Sequence, residues 1–371
     1  MTDEDYDIYL FPDNTTRNFW LKIYQSFDSI YEKELYVAFF LSVIGIPSNT
    51  FHIIILTRKS MRTSSTNILL LGIAISDLLI LIGSFEITSY DFYVLWKFDG
   101  IEPECVIPAS YFEIFIDRLS LTLSVFSRRV SVWLGVSMTV IRTVVIKNPL
   151  SHTISKLANP CFGWLSIIVV FIFCTPLSIF FYLRTTILPY NTWIRPEKCG
   201  FFENISRVRY YQGSNGWFSE RSVIEAHQFL DGLISELIPC VILPIATIIL
   251  VLEVRKYKKT SVRSSLNMGT GRSTKLVLYM TMSFLFAIVP IGIGSLLDSI
   301  VGTTIGYSKI INYSASLFHL VFSFNATIHC LICYGMCAQY RATTLELIPC
   351  FRCRPDSLNV VSVHATAMKS V

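Results

Sequence analysis

Apolar residues in this chain come in long blocks, not at the alternate positions of a strand. Seven blocks, near 35–57, 67–90, 112–146, 160–183, 229–252, 275–300 and 308–335, approach or exceed the roughly 20 residues a helix needs to cross about 30 Å of hydrocarbon. They lack the short, period-2 segments of an outer-membrane barrel, and in lipid every backbone polar group must be satisfied internally. The pattern therefore predicts an all-α membrane protein, a bundle of seven transmembrane helices. The third block is interrupted by Arg118, Arg128 and Arg129. It is expected as one long tilted helix, because Leu119 to Phe126 and Val130 to Ile146 are each short for a span.

Composition agrees with that pattern. Of 371 residues, 52% are hydrophobic and 15% charged, more apolar surface than one soluble core would bury, and the surplus must face lipid.

Basic residues set the orientation. Arg58, Lys59 and Arg62 follow the first block, Arg142, Lys147 and Lys156 follow the third, and Arg255, Lys256, Lys258, Lys259, Arg263, Arg272 and Lys275 lie between the fifth and sixth. All three loops fall on one side, which is then cytoplasmic. The opposite side is acidic, with Asp3, Glu4, Asp5, Asp7, Asp13, Asp28, Glu32 and Glu34 in the first segment and Asp91, Asp99, Glu102 and Glu104 after the second block. The expected organisation is an extracellular tail over 1–34, a seven-helix domain over 35–335, and an eighth helix with a cytoplasmic tail over 336–371. No basic n-region precedes an apolar run at the start, so the first span is expected to act as the insertion signal. Asn14-Thr15-Thr16 and Asn204-Ile205-Ser206 are glycosylation sequons on the outer side.

Of ten cysteines, only Cys105 and Cys199 fall in segments expected outside. A bond between them would tie the top of the third helix to the long loop 184–228, the other reading being two free thiols. Cys330 and Cys333 have a metal-like spacing but lie in an apolar helix with Cys337 one turn on, which suits packing better than a metal. Cys350 and Cys353 follow a basic juxtamembrane stretch, a setting that favours palmitoylation over zinc.

An ionisable group inside a span is costly unless it faces the bundle interior, a partner or water, so Asp77 is a candidate functional residue. Asn49, Ser131 and Asn325 are polar at compatible depth on other spans. Together the four would make either a hydrated cation or proton site, or a structural hydrogen-bond cluster with water.

The ordered landmarks resemble those of the rhodopsin-like G-protein-coupled receptors. They are Gly45-Ile-Pro-Ser-Asn49, Ser76-Asp77-Leu-Leu, Ile141-Arg142-Thr143 with Lys147-Asn148-Pro149-Leu150, Trp164, Pro244 and Pro290. Ser131-Val-Trp133 through Lys147-Asn-Pro149, and Asn325-Ala-Thr-Ile-His329-Cys-Leu-Ile-Cys, resemble more closely the nematode serpentine receptors of class W, relatives of FMRFamide-type peptide receptors. The resemblance spans residues 35–341. It implies that Arg142, with Pro149 downstream, meets the Gα subunit of a heterotrimeric G protein once the sixth helix swings out. It also implies that Asn49, Asp77, Ser131 and Asn325 form an internal sodium and water site, sodium acting as an allosteric ion with no other cofactor.

The chain departs from the family pattern at several positions. The acid before the arginine is Ile141, and no acid begins the sixth helix, so an ionic lock on Arg142 is not expected. The toggle aromatic before Pro290 is Ile288, Ala326 and His329 replace the seventh-span proline and tyrosine, and Cys105 lies farther upstream of Arg142 than usual.

Where rhodopsin-like receptors bind agonists, this chain offers Glu86, Ser124, Arg128, Glu236, Asp298 and His319, with Arg128 expected to pair with Glu86 or Glu236. Beside an acidic rim, such a set would attract a basic peptide, for instance one ending in Arg-Phe-amide. The function expected is therefore a plasma-membrane receptor for a neuropeptide, or for an environmental chemosensory cue, with lipid, ligand and G protein as partners and no nucleic acid. A transporter would show inverted repeats and matching broken helices. An olfactory channel would carry its N-terminus inside. An intramembrane enzyme would need catalytic pairs in register, which His52, His319 and His329 do not make.

Overall fold

The structure, a computed structural model, describes residues 3–97, 102, 105–148, 150–199, 206–260, 267–301 and 304–347. In chain order the helices are α1 (Asp3–Leu10), α2 (Arg17–Leu56), α3 (Ser65–Lys97), α4 (Tyr111–Lys147), the single turn α5 (His152–Ser155) and α6 (Pro160–Leu183). A hairpin of β1 (Thr185–Ile194) and β2 (Ser206–Ser214) follows. Then come α7 (Arg221–Asp231), a π-helical turn over Gly232–Leu237, α8 (Ile238–Thr260), α9 (Asn267–Val301), α10 (Ile305–Met336) and α11 (Ala338–Leu347). Seven helical rods among the described residues are long and apolar enough to cross a membrane: α2, α3, α4, α6, α7 continuing into α8, α9 and α10.

Local chemistry starts and bends these rods. Ser110 and Glu113 form a capping box at the head of α4: the Ser110 hydroxyl accepts from the Glu113 N–H at 3.3 Å and the Glu113 carboxylate accepts from the Ser110 N–H at 2.5 Å, satisfying two otherwise orphaned donors. Pro160 opens α6 where no N–H is needed. Pro47, Pro176, Pro244 and Pro290 lie inside α2, α6, α8 and α9, which spans tolerate because neighbouring helices re-satisfy the freed carbonyls.

The third apolar block is one helix despite its arginines. The first span differs from expectation, because its helix begins at Arg17 and takes in half of the tail expected over 1–34. Aromatic contacts with α10 explain the extension. Tyr24 and Tyr31 stack on Tyr313 at 5.9 and 4.7 Å, the Tyr313 hydroxyl donates to Asp28 at 2.9 Å, and Trp20 packs edge-on against Tyr307 at 5.0 Å. Ahead of α2, the hydroxyls of Thr16 and Thr15 donate to Asp13 and hold its carboxylate below the usual range. That turn leaves Asn14 exposed.

The long segment after α6 folds as an antiparallel hairpin, Thr185 opposite Ser214 and Trp193 opposite Arg207, with an irregularity between Pro189 and Asn191, where proline has no N–H for the ladder. A disulfide from Cys105 to Cys199, with Cα atoms 5.5 Å apart, fastens the loop of this hairpin ahead of α4.

The core lies among α2, α3, α4, α9 and α10, with Ile55, Leu69, Ile73, Leu134, Phe284 and Ala287 fully enclosed. α6 stands outermost. Trp164, Leu165, Ile168, Phe171 and Ile172 are exposed on it, as lipid-facing residues should be. It approaches α3 closely at Gly163, where an added Cβ would lie 2.8 Å from the Ile68 Cβ and 2.9 Å from the Ser65 carbonyl oxygen.

Candidate functional site

Polar side chains collect at three levels of the bundle. At the hairpin end, Glu86 and Asp91 of α3 and Glu113 and Asp117 of α4 line a cavity of about 330 Å³, with Tyr90 and Phe112 on its walls. Glu86 thus sits among acids, and of the two partners expected for Arg128 it is Glu236 that shares a cavity with it. Ser124 faces α3 at its tightest point, since a Cβ on Gly83 would fall 2.0 Å from its hydroxyl oxygen. Asp298 is half-buried near the hairpin end of α9.

Deeper, the two arginines that interrupt the third block take separate partners. The Arg128 guanidinium lies 2.8 and 2.9 Å from the two ring nitrogens of His319 on α10. Glu236 shares a cavity of about 10 Å³ with Arg128, Arg129, Asp231, Ser235 and Ile288, about enough space for one water. Arg129 reaches Asp231 through Nε at 2.7 Å and Nη2 at 2.5 Å and donates from Nη1 to the Ser178 hydroxyl at 2.5 Å. Ser235 in turn donates to Asp231 at 2.5 Å. Sequence reasoning passed over Arg129, Asp231 and Ser178. The signal available was a second arginine in an apolar helix, which needs an acid of its own.

At mid-depth, Asp77 is fully buried and holds two partners. The Ser131 hydroxyl donates to Oδ1 at 3.0 Å, and His329 Nδ1 lies 2.6 Å from Oδ2. Asn49 donates from Nδ2 to the carbonyls of Gly45 and Ala326 at 3.2 and 3.0 Å. Asn325 is 3% exposed, and neither its amide oxygen nor its amide nitrogen is hydrogen-bonded within the structure. The structure thus brings Asp77 and Ser131 together as the sequence pattern suggested and adds His329, noted there only as a replaced tyrosine.

At the opposite end, Arg142 is half-buried near the last turn of α4. Near it, hydroxyls link α4 to its neighbours. Thr139 donates to the Gly135 carbonyl at 2.9 Å and meets the Thr281 hydroxyl of α9 at 3.1 Å. Thr143 donates to the Ala246 carbonyl of α8 at 3.1 Å. α11 docks by Tyr340, whose buried hydroxyl lies 2.8 Å from His52 Nδ1 and 3.3 Å from Cys330 Sγ. Cys330 and Cys333 thus pack against the Tyr340 and His52 side chains, and no metal-holding group of His, Cys, Asp and Glu occurs among the described residues. Pro149, Asn204, Cys350 and Cys353 lie outside the described residues.

The family model of the serpentine type 7TM GPCR chemoreceptor Srw matches residues 36–351 of this chain. The chain belongs to the Srw family. No curated protein matches it. As an Srw chemoreceptor it is a multi-pass plasma-membrane protein of a G-protein-coupled receptor family, not an enzyme, and membership brings an extracellular ligand and G-protein coupling. The Srw match runs through every span and ends beyond α11, so the hairpin, the Asp77 cluster and the docked α11 all belong to the receptor proper.

Proposed function

We propose that this Srw receptor holds its hairpin end and N-terminus outside the cell, takes a basic peptide there, and engages a heterotrimeric G protein through Arg142 at the other end. The observation that carries the ligand class is the cavity of about 330 Å³ whose walls bring in Glu86, Asp91, Glu113 and Asp117. Four carboxylates around one opening attract cations and raise the encounter rate of a positively charged ligand. An amidated peptide ending in Arg-Phe-amide supplies a guanidinium for the acids and an aromatic ring for Tyr90 and Phe112. A disulfide beside this mouth, from Cys105 to Cys199, suits an outer, oxidising face. Glycan on Asn14 is expected on the same side, and palmitate on Cys350 and Cys353 on the other.

At the inner end, Arg142 supplies five donors for a Gα tail once α9 moves away from α4. The second reading, an environmental small-molecule cue, is favoured by the chemoreceptor character of the family.

The test is G-protein activation in cells expressing the receptor at matched surface levels, screened against amidated peptides and non-peptide odorants. A response to cationic peptides that weakens in Asp117→Asn and vanishes in Arg142→Ala supports the proposal. A response to neutral or anionic compounds alone, unaffected by Asp117→Asn, sinks the basic-peptide reading.

A further inference from the structure

The Asp77 cluster does not fit the sodium ion that the rhodopsin-like pattern implies. A sodium site on this acid needs lone pairs of the carboxylate turned toward the ion. Here Oδ1 accepts from the Ser131 hydroxyl at 3.0 Å, and Oδ2 faces the Nδ1 of His329 at 2.6 Å. That short contact has room for one proton and none for a metal ion. An ion on the lone pair of Oδ2 that faces His329 would have to push the imidazole aside. His329 is 1% exposed, and its Nε2 already makes no hydrogen bond within the structure, so a displaced ring would leave Nδ1 unpaired as well. Two further oxygens in the bundle, Asn49 Oδ1 and Asn325 Oδ1, are both buried and hydrogen-bonded to no protein group. Such atoms are satisfied by buried water.

We propose that His329 is a built-in substitute for the sodium ion. It clamps α10 to α3 through Asp77, makes this packing independent of sodium, and covers a latent monovalent-cation site formed by Asp77, Ser131, Asn49 and Asn325. The His329 position is the one where the pattern carries tyrosine. A side chain there that cannot reach Asp77 should uncover the site.

Thermal unfolding of the purified full-length receptor in lipid nanodiscs tests this without any agonist. Melting is compared in sodium chloride and in N-methyl-D-glucamine chloride at equal ionic strength. The wild type should melt at the same temperature in both salts. His329→Tyr and His329→Asn should melt lower in N-methyl-D-glucamine and gain about 2–4 °C, saturably, with sodium. That gain should disappear when Asp77→Asn is added to either variant. A sodium-specific rise in the wild type overturns the proposal whichever variant folds. A folded His329 variant blind to sodium overturns it equally, because the imidazole would then not be what keeps the ion out.

Discussion

Arg129 and Asp231 join the middle of the third span to the end of α7 by a two-point ion pair, 2.7 and 2.5 Å, with the arginine side chain 2% exposed. The fourth span joins the same guanidinium through Ser178. One charged group in the apolar middle of the bundle therefore ties three helices together.

Breaking that pair should be severe. Arg129→Ala leaves Asp231 without its cation, and Asp231→Ala leaves a buried guanidinium uncompensated. Each is expected to lose about 3–5 kcal/mol of stability, read as reduced surface expression and a lower melting temperature in nanodiscs. Arg129→Met combined with Asp231→Leu should recover part of the loss, since no unpaired charge remains.

The disulfide encloses a segment separated by 94 residues. Cys105→Ser and Cys199→Ser should each destabilise the receptor by about 2–5 kcal/mol. The double variant should be no worse than either single one. Thiol labelling under non-reducing denaturation checks this, with neither cysteine reactive in the wild type and one reactive in each single variant.

Thr139 donates its proton to the Gly135 carbonyl, so the Thr281 hydroxyl is the donor across the α4–α9 gap. Thr281→Val removes this side-chain hydrogen bond between the two helices near Arg142 while keeping the shape. The closed arrangement should lose about 0.5–1.5 kcal/mol, raising ligand-free activity about 2–10-fold. Nucleotide exchange on a purified G protein measures it, and an unchanged basal rate would show that the contact does not hold α9 closed.

Tyr340→Phe keeps the ring of α11 in its buried slot but strips the hydroxyl from His52 Nδ1. Leaving that nitrogen unpaired should cost about 1–3 kcal/mol locally. Hydrogen exchange over residues 338–347 should accelerate, while exchange in α3 and α4 stays as it was.

The seven spans were legible in the residue pattern because lipid imposes one rule on every spanning segment, and apolar length follows from it. Asp77 with Ser131 was legible for the same reason, as an acid in hydrocarbon must have polar company. The partner of Asp77 that matters most was not legible. His329 stands 252 positions away in sequence, and only the packing of α10 against α3 joins them. The helical extension from Arg17 escaped notice because its aromatic residues find their partners on α10, far along the chain, while its charges locally resemble a solvated tail. Strands β1 and β2 were hidden too, since their faces are mostly exposed and do not alternate cleanly.

The π turn over Gly232–Leu237 joins the end carrying Asp231 to the part carrying Pro244. A π turn holds one residue more than the α-helical turn it replaces, and one residue on a helix is about 100° of rotation. Deleting a single residue such as Leu233 would therefore swing Asp231 off Arg129 while leaving everything below Pro244 in register. A chain without the extra residue would have to neutralise an arginine at this position with an acid from elsewhere. The length of the fifth span, to a single residue, thus decides whether Arg129 keeps its acid.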